Sequence, residues 1–265
     1  MFLIFRRLWQ VNWAEQWQYR ANLIMYLLYW LVSPIIYLAV WTSIANSKGS
    51  VNGFTANDFI TYYMTLLIVD QITSNIVIHT FAYKIQDGSL SSELIRPIHP
   101  MLMNALVNNI AFKVLFILGL IPIWIVLALL FKPDFASVTW QGILLAIPAM
   151  LLGFLIGFLL SAAITSLAFW TTRVYSIHEF YYALMLLFSG QFVPLTLMPK
   201  LIQELAVYLP FQIQIYFPIQ LILGRLSTAQ IVQGYIVAGV WLVLSIAFFN
   251  WVWRNGVKKY SAVGA

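Results

Sequence analysis

The chain has 265 residues, of which 62% are hydrophobic and only 8% charged. An ordinary soluble domain carries about 25% charged residues, so this composition excludes a water-soluble globular protein. It contains no cysteine, which excludes disulfides, thiolate chemistry and cysteine metal sites. Its net charge of +6 comes from basic residues set singly beside apolar runs, a membrane-orientation pattern rather than a nucleic-acid surface.

In residues 1–20, Arg6 and Arg7 are followed by "LWQVNWAEQWQYR", which has no continuous apolar core and predicts no cleavable signal peptide. Trp9, Trp13 and Trp17 recur every four residues, one turn after Phe5, and share a helical face. Tryptophan favours the headgroup level, so the segment reads as an amphipathic helix in the cytoplasmic interface. It serves either as an anchor for the first span or as a helix that carries force between a cytoplasmic partner and the spans.

Six apolar runs follow, at 22–45, 58–82, 105–131, 140–170, 179–198 and 230–253. Each meets or approaches the roughly 20 residues that a hydrocarbon core requires. The expected fold is all-α: one polytopic transmembrane domain over 1–265 with six transmembrane helices, an N-terminal interfacial helix and a re-entrant helical pair before the last span. With the N-terminus cytoplasmic, ten of the fourteen Lys and Arg residues fall on the cytoplasmic side, Lys113 among them. That bias predicts both termini inside.

The joint "IQDGSLSSELIRPIHP" (85–100) holds Asp87, Gly88 and Ser89 as helix-start signals, with Ser89 as the N-cap. Leu90, Leu94 and Ile95 can share a face, Glu93 and Arg96 are three apart, and Pro97 and Pro100 end the helix. This predicts a cytoplasmic helix of about two turns. It is either a knob presented to a partner or a well-capped connection.

The fifth run ends in "FSGQFVPLTLMPK" (188–200), where Pro194 and Pro199 halt a regular helix. Residues 199–224 contain Pro210 and Pro218 in otherwise apolar text. They read as two half-helices joined near Pro210 that enter the outer leaflet and return, a backbone tolerated only when buried in protein or lining a cavity. A seventh crossing is the alternative, and it would put Arg254, Lys258 and Lys259 outside.

Enzymatic signatures are missing: there is no phosphate loop, no HExxH and no nucleophile elbow. His79, His99 and His178 lie far apart in sequence. Asp70 is the one clearly intramembrane acid and hence a functional candidate. An ion-coupled secondary transporter built on Asp70 is the rival reading, but no matching base, acidic relay or inverted repeat accompanies it. Tyr63, Tyr181, Tyr182, Phe188 and further aromatic residues either line an amphipathic route or serve as packing and interface belts.

The segments "DGSLSSELIRPIHP" (87–100) and "FSGQFVPLTLMPKLIQELAVYLPFQIQIYFPIQLILG" (188–224), set in this order of spans, resemble the type-2 permease (membrane) subunits of ATP-binding-cassette exporters. The resemblance covers essentially the whole chain. It implies that 87–100 is a coupling helix docking on a separate nucleotide-binding ATPase through Leu90, Glu93, Leu94 and Arg96. Trp9, Trp13 and Trp17 would mark a connecting helix. Pro194, Pro199, Pro210 and Pro218 would shape an outer gate, and Tyr63, Asp70, Phe188 and Gln191 would line the pathway. ATP and Mg would be bound by the partner and no cofactor by this chain. A second permease subunit, identical or paralogous, would complete a pathway that moves a hydrophobic or amphipathic compound outward through a plasma membrane, expected to be a bacterial inner membrane. The outer loops are too short for an added extracellular domain.

Overall fold

The computed structural model describes residues 2–101 and 105–260, with side chains from Arg6 onward at the N-terminal end. The described residues form helices joined by short loops, with no strand among them. The first helix, α1 (Phe2–Gln18), runs through one irregular residue, Tyr19, into α2 (Arg20–Lys48). Next come α3 (Ala56–Thr73), α4 (Val77–Gln86) and the short α5 (Ser91–Leu94). The remaining long helices are α6 (Leu106–Phe131), α7 (Trp140–Ser166) and α12 (Thr228–Val257). Between α7 and α12 lie α8 (Val174–Phe188), α9 (Lys200–Ala206), α10 (Phe211–Gln214) and α11 (Tyr216–Ile222).

Among the described residues, five helical stretches are long and apolar enough to cross a membrane: Arg20–Lys48, Ala56–Gln86, Leu106–Phe131, Trp140–Phe169 and Thr228–Val257. The fifth run of the sequence forms a shorter apolar helix, the 15 residues of α8. At 1.5 Å per residue it spans about 22 Å, less than the roughly 30 Å hydrocarbon core. It stops because Ser189 and Gly190 turn the chain, Gly190 at φ 83°, a left-handed conformation that suits glycine.

The second stretch is itself interrupted. At 74–76 the helix breaks between α3 and α4, with Ser74 in extended conformation. The break leaves carbonyls at the end of α3 without helical partners. Lys113 of α6 supplies the missing donor: its ammonium donates to the carbonyls of Gln71 at 2.9 Å and Ile72 at 3.0 Å.

Residues 199–224 depart from two half-helices. They form three short helices, because the second half is cut at Ile215, where the N–H of Tyr216 donates to Ser189 O at 3.0 Å instead of continuing a helical ladder. Pro210 is the N-cap of α10, and Pro218 lies in the first turn of α11, where an N–H has no helical acceptor anyway. α7 receives these pieces with a stripe of small residues: Gly142, Ala146, Ala149, Gly153 and Gly157 are all buried. A Cβ on Gly153 would sit 2.7 Å from Ile213 O, so α10 approaches α7 backbone to backbone.

The bundle has two distinct ends. At one, Arg225 pairs with Asp58 at 2.5 Å, and the N–H of Asp134 donates to the Thr61 hydroxyl at 3.0 Å. At the other, the Tyr260 hydroxyl donates to Gly88 O at 2.7 Å, Gln86 reaches Thr172 O at 3.4 Å, and the Asn108 amide donates to Asn12 of α1 at 2.8 Å.

Candidate functional site

Two features stand out: a cavity half-way along the bundle and a pinned turn at the end that carries α1 and Tyr260. The cavity, about 190 Å³, is bounded by α2, the α3–α4 break, α8 and α10. Asp70, only 3% exposed, lies in its wall. Trp30 of α2 holds that carboxylate, its indole N–H donating to Oδ2 at 3.0 Å. Lys113, absent from the cavity wall, is turned onto the carbonyls of α3. The sequence places Lys113 in a cytoplasmic joint; the structure instead buries it within α6, at 7% exposure, with its ammonium on the carbonyls at the end of α3.

Of the four residues expected along a pathway, Asp70 and Gln191 share this cavity. Tyr63 and Phe188 lie outside its wall. The Tyr63 hydroxyl donates to Phe192 O at 2.6 Å, and Phe188 stacks on Phe211 with ring centroids 6.2 Å apart. Sequence reading missed Trp30, Asn75 and Gln214, which also line it. The break in α3–α4 presents Asn75, and no turn signal beyond Ser74-Asn75 marks it. His178 lines the cavity too, and its ring lies 6.1 Å from that of His79, so two histidines distant in sequence meet. No group of three or more metal-ligating side chains occurs among the described residues.

The pinned turn differs from the two-turn helix expected. α5 is four residues long. Ser89 does not cap it: its hydroxyl donates to the Asp87 carboxylate at 2.7 Å and its N–H to the same oxygen at 2.9 Å. Those bonds, the backbone one foremost, hold the Asp87 carboxyl below its ordinary value, so it stays ionised at neutral pH. Leu90 is fully buried in a core formed with Phe81, Phe158 and Trp253, against which Leu94 also packs. Leu90 therefore anchors the turn rather than facing outward. Glu93 pairs with Lys84 at 2.6 Å. The hydroxyl of Tyr260, three residues past the end of α12, closes the turn, accepting the N–H of Ser91 at 3.2 Å while donating to Gly88 O. What protrudes is Ile95, 86% exposed, followed by the exposed Arg96 and Pro97. Behind it His99 packs on Trp253 with centroids 4.7 Å apart, and burial lowers its pKa.

Around the far loop, the prolines fall at element boundaries: Pro194 precedes a short 3-10 turn (Leu195–Leu197), and Pro199 is the N-cap of α9. The Tyr62 hydroxyl donates to Gly190 O at 2.7 Å and the Trp41 indole to Phe192 O at 3.1 Å, tying the loop to α3 and α2. In α1, Trp9 and Trp13 stack at 5.8 Å while Trp17 is 53% exposed. The face of α1 turned to the bundle carries the buried Asn12 with Trp9 and Trp13 half-buried beside it, and Trp17 lies off that face.

Long apolar helices, interrupted and bent around an acid-lined cavity, define a multi-pass membrane protein. Residues 21–264 match the family described as "ABC-2 family transporter protein", and the chain belongs to this ABC-2 type transporter membrane family. A comparison with curated proteins gives no significant match.

Proposed function

We propose that this chain is the membrane permease subunit of an ATP-driven exporter, moving a hydrophobic or amphipathic compound outward with energy from separate ATPase subunits. Membership of the transporter family supports the permease role. One observation carries the coupling role: the 87–97 turn is fastened by a buried leucine, an ion pair and a tyrosine clamp, yet ends in the exposed Ile95. A rigid apolar knob transmits force where a slack loop would not. In this reading Ile95 and Arg96 meet the ATPase with Leu94 beneath them, Glu93 sets the turn's shape through Lys84, and Leu90 holds the turn in place. ATP and Mg reside in the partner.

Two further features of the proposal rest on geometry. α8 starts beside Ile78 and Ala82, near the end that carries Tyr260, and leads into the loop held by Tyr62 and Trp41. That course supports a sixth, short crossing, with both termini on the cytoplasmic side of a plasma membrane. The burial of α10 and α11 against α7 supports 199–224 as a re-entrant element closing the outer end. α1 then lies in the cytoplasmic interface with Trp17 toward lipid, and a second permease copy or paralogue completes the pathway.

The test is affinity purification in mild detergent from the native membrane. An ATPase subunit should accompany the intact chain and be lost from an Ile95→Asp, Arg96→Glu variant whose thermal midpoint is unchanged, as surface substitutions usually stay within about 0.5 kcal/mol. Leu90→Ala should instead destabilise the whole protein by about 2–5 kcal/mol. An ATPase retained by the double variant sinks the docking site. If no ATPase accompanies the abundant intact chain, the exporter reading fails, and transport coupled to Asp70 becomes the reading to test.

A further inference from the structure

A second cavity, also about 190 Å³, lies beside the end of the bundle where Arg225 pairs with Asp58. It is enclosed by α9, α10, α11 and the first turns of α12, and among the described residues no charged side chain lines it. Four glutamines from three helices supply most of its polar groups: Gln203, Gln212, Gln230 and Gln233. Three of these amides are held by the protein through one end only. Gln203 Nε2 donates to Thr196 O at 3.2 Å and Met198 O at 2.7 Å, and Gln212 Nε2 donates to Val207 O at 2.8 Å, which leaves an oxygen on each. Gln230 is held the other way round, its Oε1 accepting the N–H of Ser227 at 2.9 Å and its hydroxyl at 3.0 Å, which leaves Nε2 as a donor.

Gln212 is the most informative of the four. It is 8% exposed, and its Oε1 accepts no bond within the protein among the described residues. The unpartnered Oε1 atoms of Gln214 and Gln220 are sealed in the interior, but that of Gln212 is not. In a residue so deeply buried, the surface that remains faces the cavity it lines. An acceptor in such a place is normally paired, and its donor has to come from what occupies the cavity. A charged ligand would lose its hydration there without meeting a counter-charge. A purely apolar one would strand the amides. Water meets the amides but leaves the rings of Tyr216 and Phe217 wet. A neutral ring with several hydroxyls, each able to donate and accept, satisfies the amides with its edge and covers the aromatic rings with its C–H face.

We propose that this cavity is a binding site for one neutral polyhydroxylated ring, a sugar or cyclitol, presented free or as the headgroup of a lipid. The site rests on the cavity alone and holds whatever the chain transports. About 190 Å³ corresponds to roughly six waters at 30 Å³ each, space for a single ring and not for an oligosaccharide. Because the protein fixes the Gln203, Gln212 and Gln230 amides from behind, the ligand meets acceptors and a donor that are already oriented.

Methyl glucoside, glucuronate, glucosamine and cyclohexanol separate hydroxyl content from charge and ring size. Their binding to the purified chain in a polyoxyethylene detergent, which carries no sugar, can be followed by calorimetry or ligand-observed NMR. Methyl glucoside should bind about tenfold or more tightly than the other three, since a site built to bond hydroxyls rejects an analogue that lacks them. Gln212→Leu should remove that preference. Gln233 is exposed and makes no bond within the protein among the described residues. Gln233→Leu should therefore weaken methyl glucoside severalfold at an unchanged thermal midpoint, and it keeps the test decisive if Gln212→Leu fails to fold. In phosphatidylcholine nanodiscs, displacement of methyl glucoside by glucosyl diacylglycerol assigns a lipid headgroup to the site, and undiminished binding assigns the free sugar. Binding of none of the four, as in a cavity that holds water only, overturns the site. So does equal binding of all four, tighter binding of a charged sugar, or a preference that survives both substitutions.

Discussion

Lys113 and Asp70 illustrate how a side chain's neighbours reverse its apparent meaning. By position, Lys113 opens an apolar run and reads as a cytoplasmic charge; in the fold, it caps carbonyls that the α3–α4 break has exposed. Hydrogen bonds to charged groups contribute about 1.5–3 kcal/mol, and truncating the lysine leaves those carbonyls without their donor. Lys113→Met should therefore lower the thermal midpoint in detergent by an amount equivalent to about 1.5–3 kcal/mol, whereas Lys200→Met, at an exposed residue, should leave it unchanged. A Lys113→Met protein as stable as the parent would remove the capping role. Ile95 shows the same dependence on context. It shares its predicted face with Leu90 and Leu94, yet Leu90 is buried and Ile95 protrudes, because the short α5 ends before the two can lie on one stripe.

At the level of elements, the contact between α7 and the α10–α11 pair follows from residue size. Small side chains recur at 142, 146, 149, 153 and 157, three or four apart and on one face. They admit a backbone that has no continuous helical ladder of its own and that must be shielded by protein at this depth. Overpacking such a seam costs about 1–3 kcal/mol, and at Gly153 the obstacle is a carbonyl rather than a flexible side chain. Gly153→Leu is expected to lower the thermal midpoint and to make the chain between 205 and 215 sensitive to protease, whereas Gly239→Leu, where nothing lies within 4 Å, should do neither. Protection of 205–215 in the Gly153 variant would argue against the seam. The turn at 87–97 is built differently, by long-range anchors: Tyr260 lies 172 positions from Gly88 in sequence.

For the whole molecule the open quantity is the number of crossings, and the sequence itself provides the means to count them. With no native cysteine, each introduced one is a unique reporter. If α8 crosses, Ser92→Cys and Lys259→Cys label from the same side of sealed vesicles, and Lys48→Cys and Ser227→Cys from the opposite side. If α8 does not cross, Lys259→Cys moves to the side opposite Ser92→Cys. The first pattern is expected, since Tyr260 closes on the turn that contains Gly88 and Ser91 while Arg225 closes on Asp58 at the far end. Labelling of Ser92→Cys and Lys259→Cys from opposite sides would rule out six crossings.

Composition and apolar run length by themselves determined the helical membrane class, because a chain with so little charge satisfies its backbone in lipid only as helices or a closed barrel, and runs of this length favour helices. They also located the two irregular segments, since proline and glycine act through the local backbone and need no partner. The tertiary structure alone decided what those segments do. Capture of the Tyr216 N–H by Ser189 O made three short helices from an expected pair. The close approach of α2, α3, α8 and α10 gathered Trp30, Asp70, Gln191 and Gln214, drawn from positions far apart in the chain, around one cavity. Side-chain hydrogen bonds and cavities depend on distances between elements, and a single sequence carries local periodicity but not those distances.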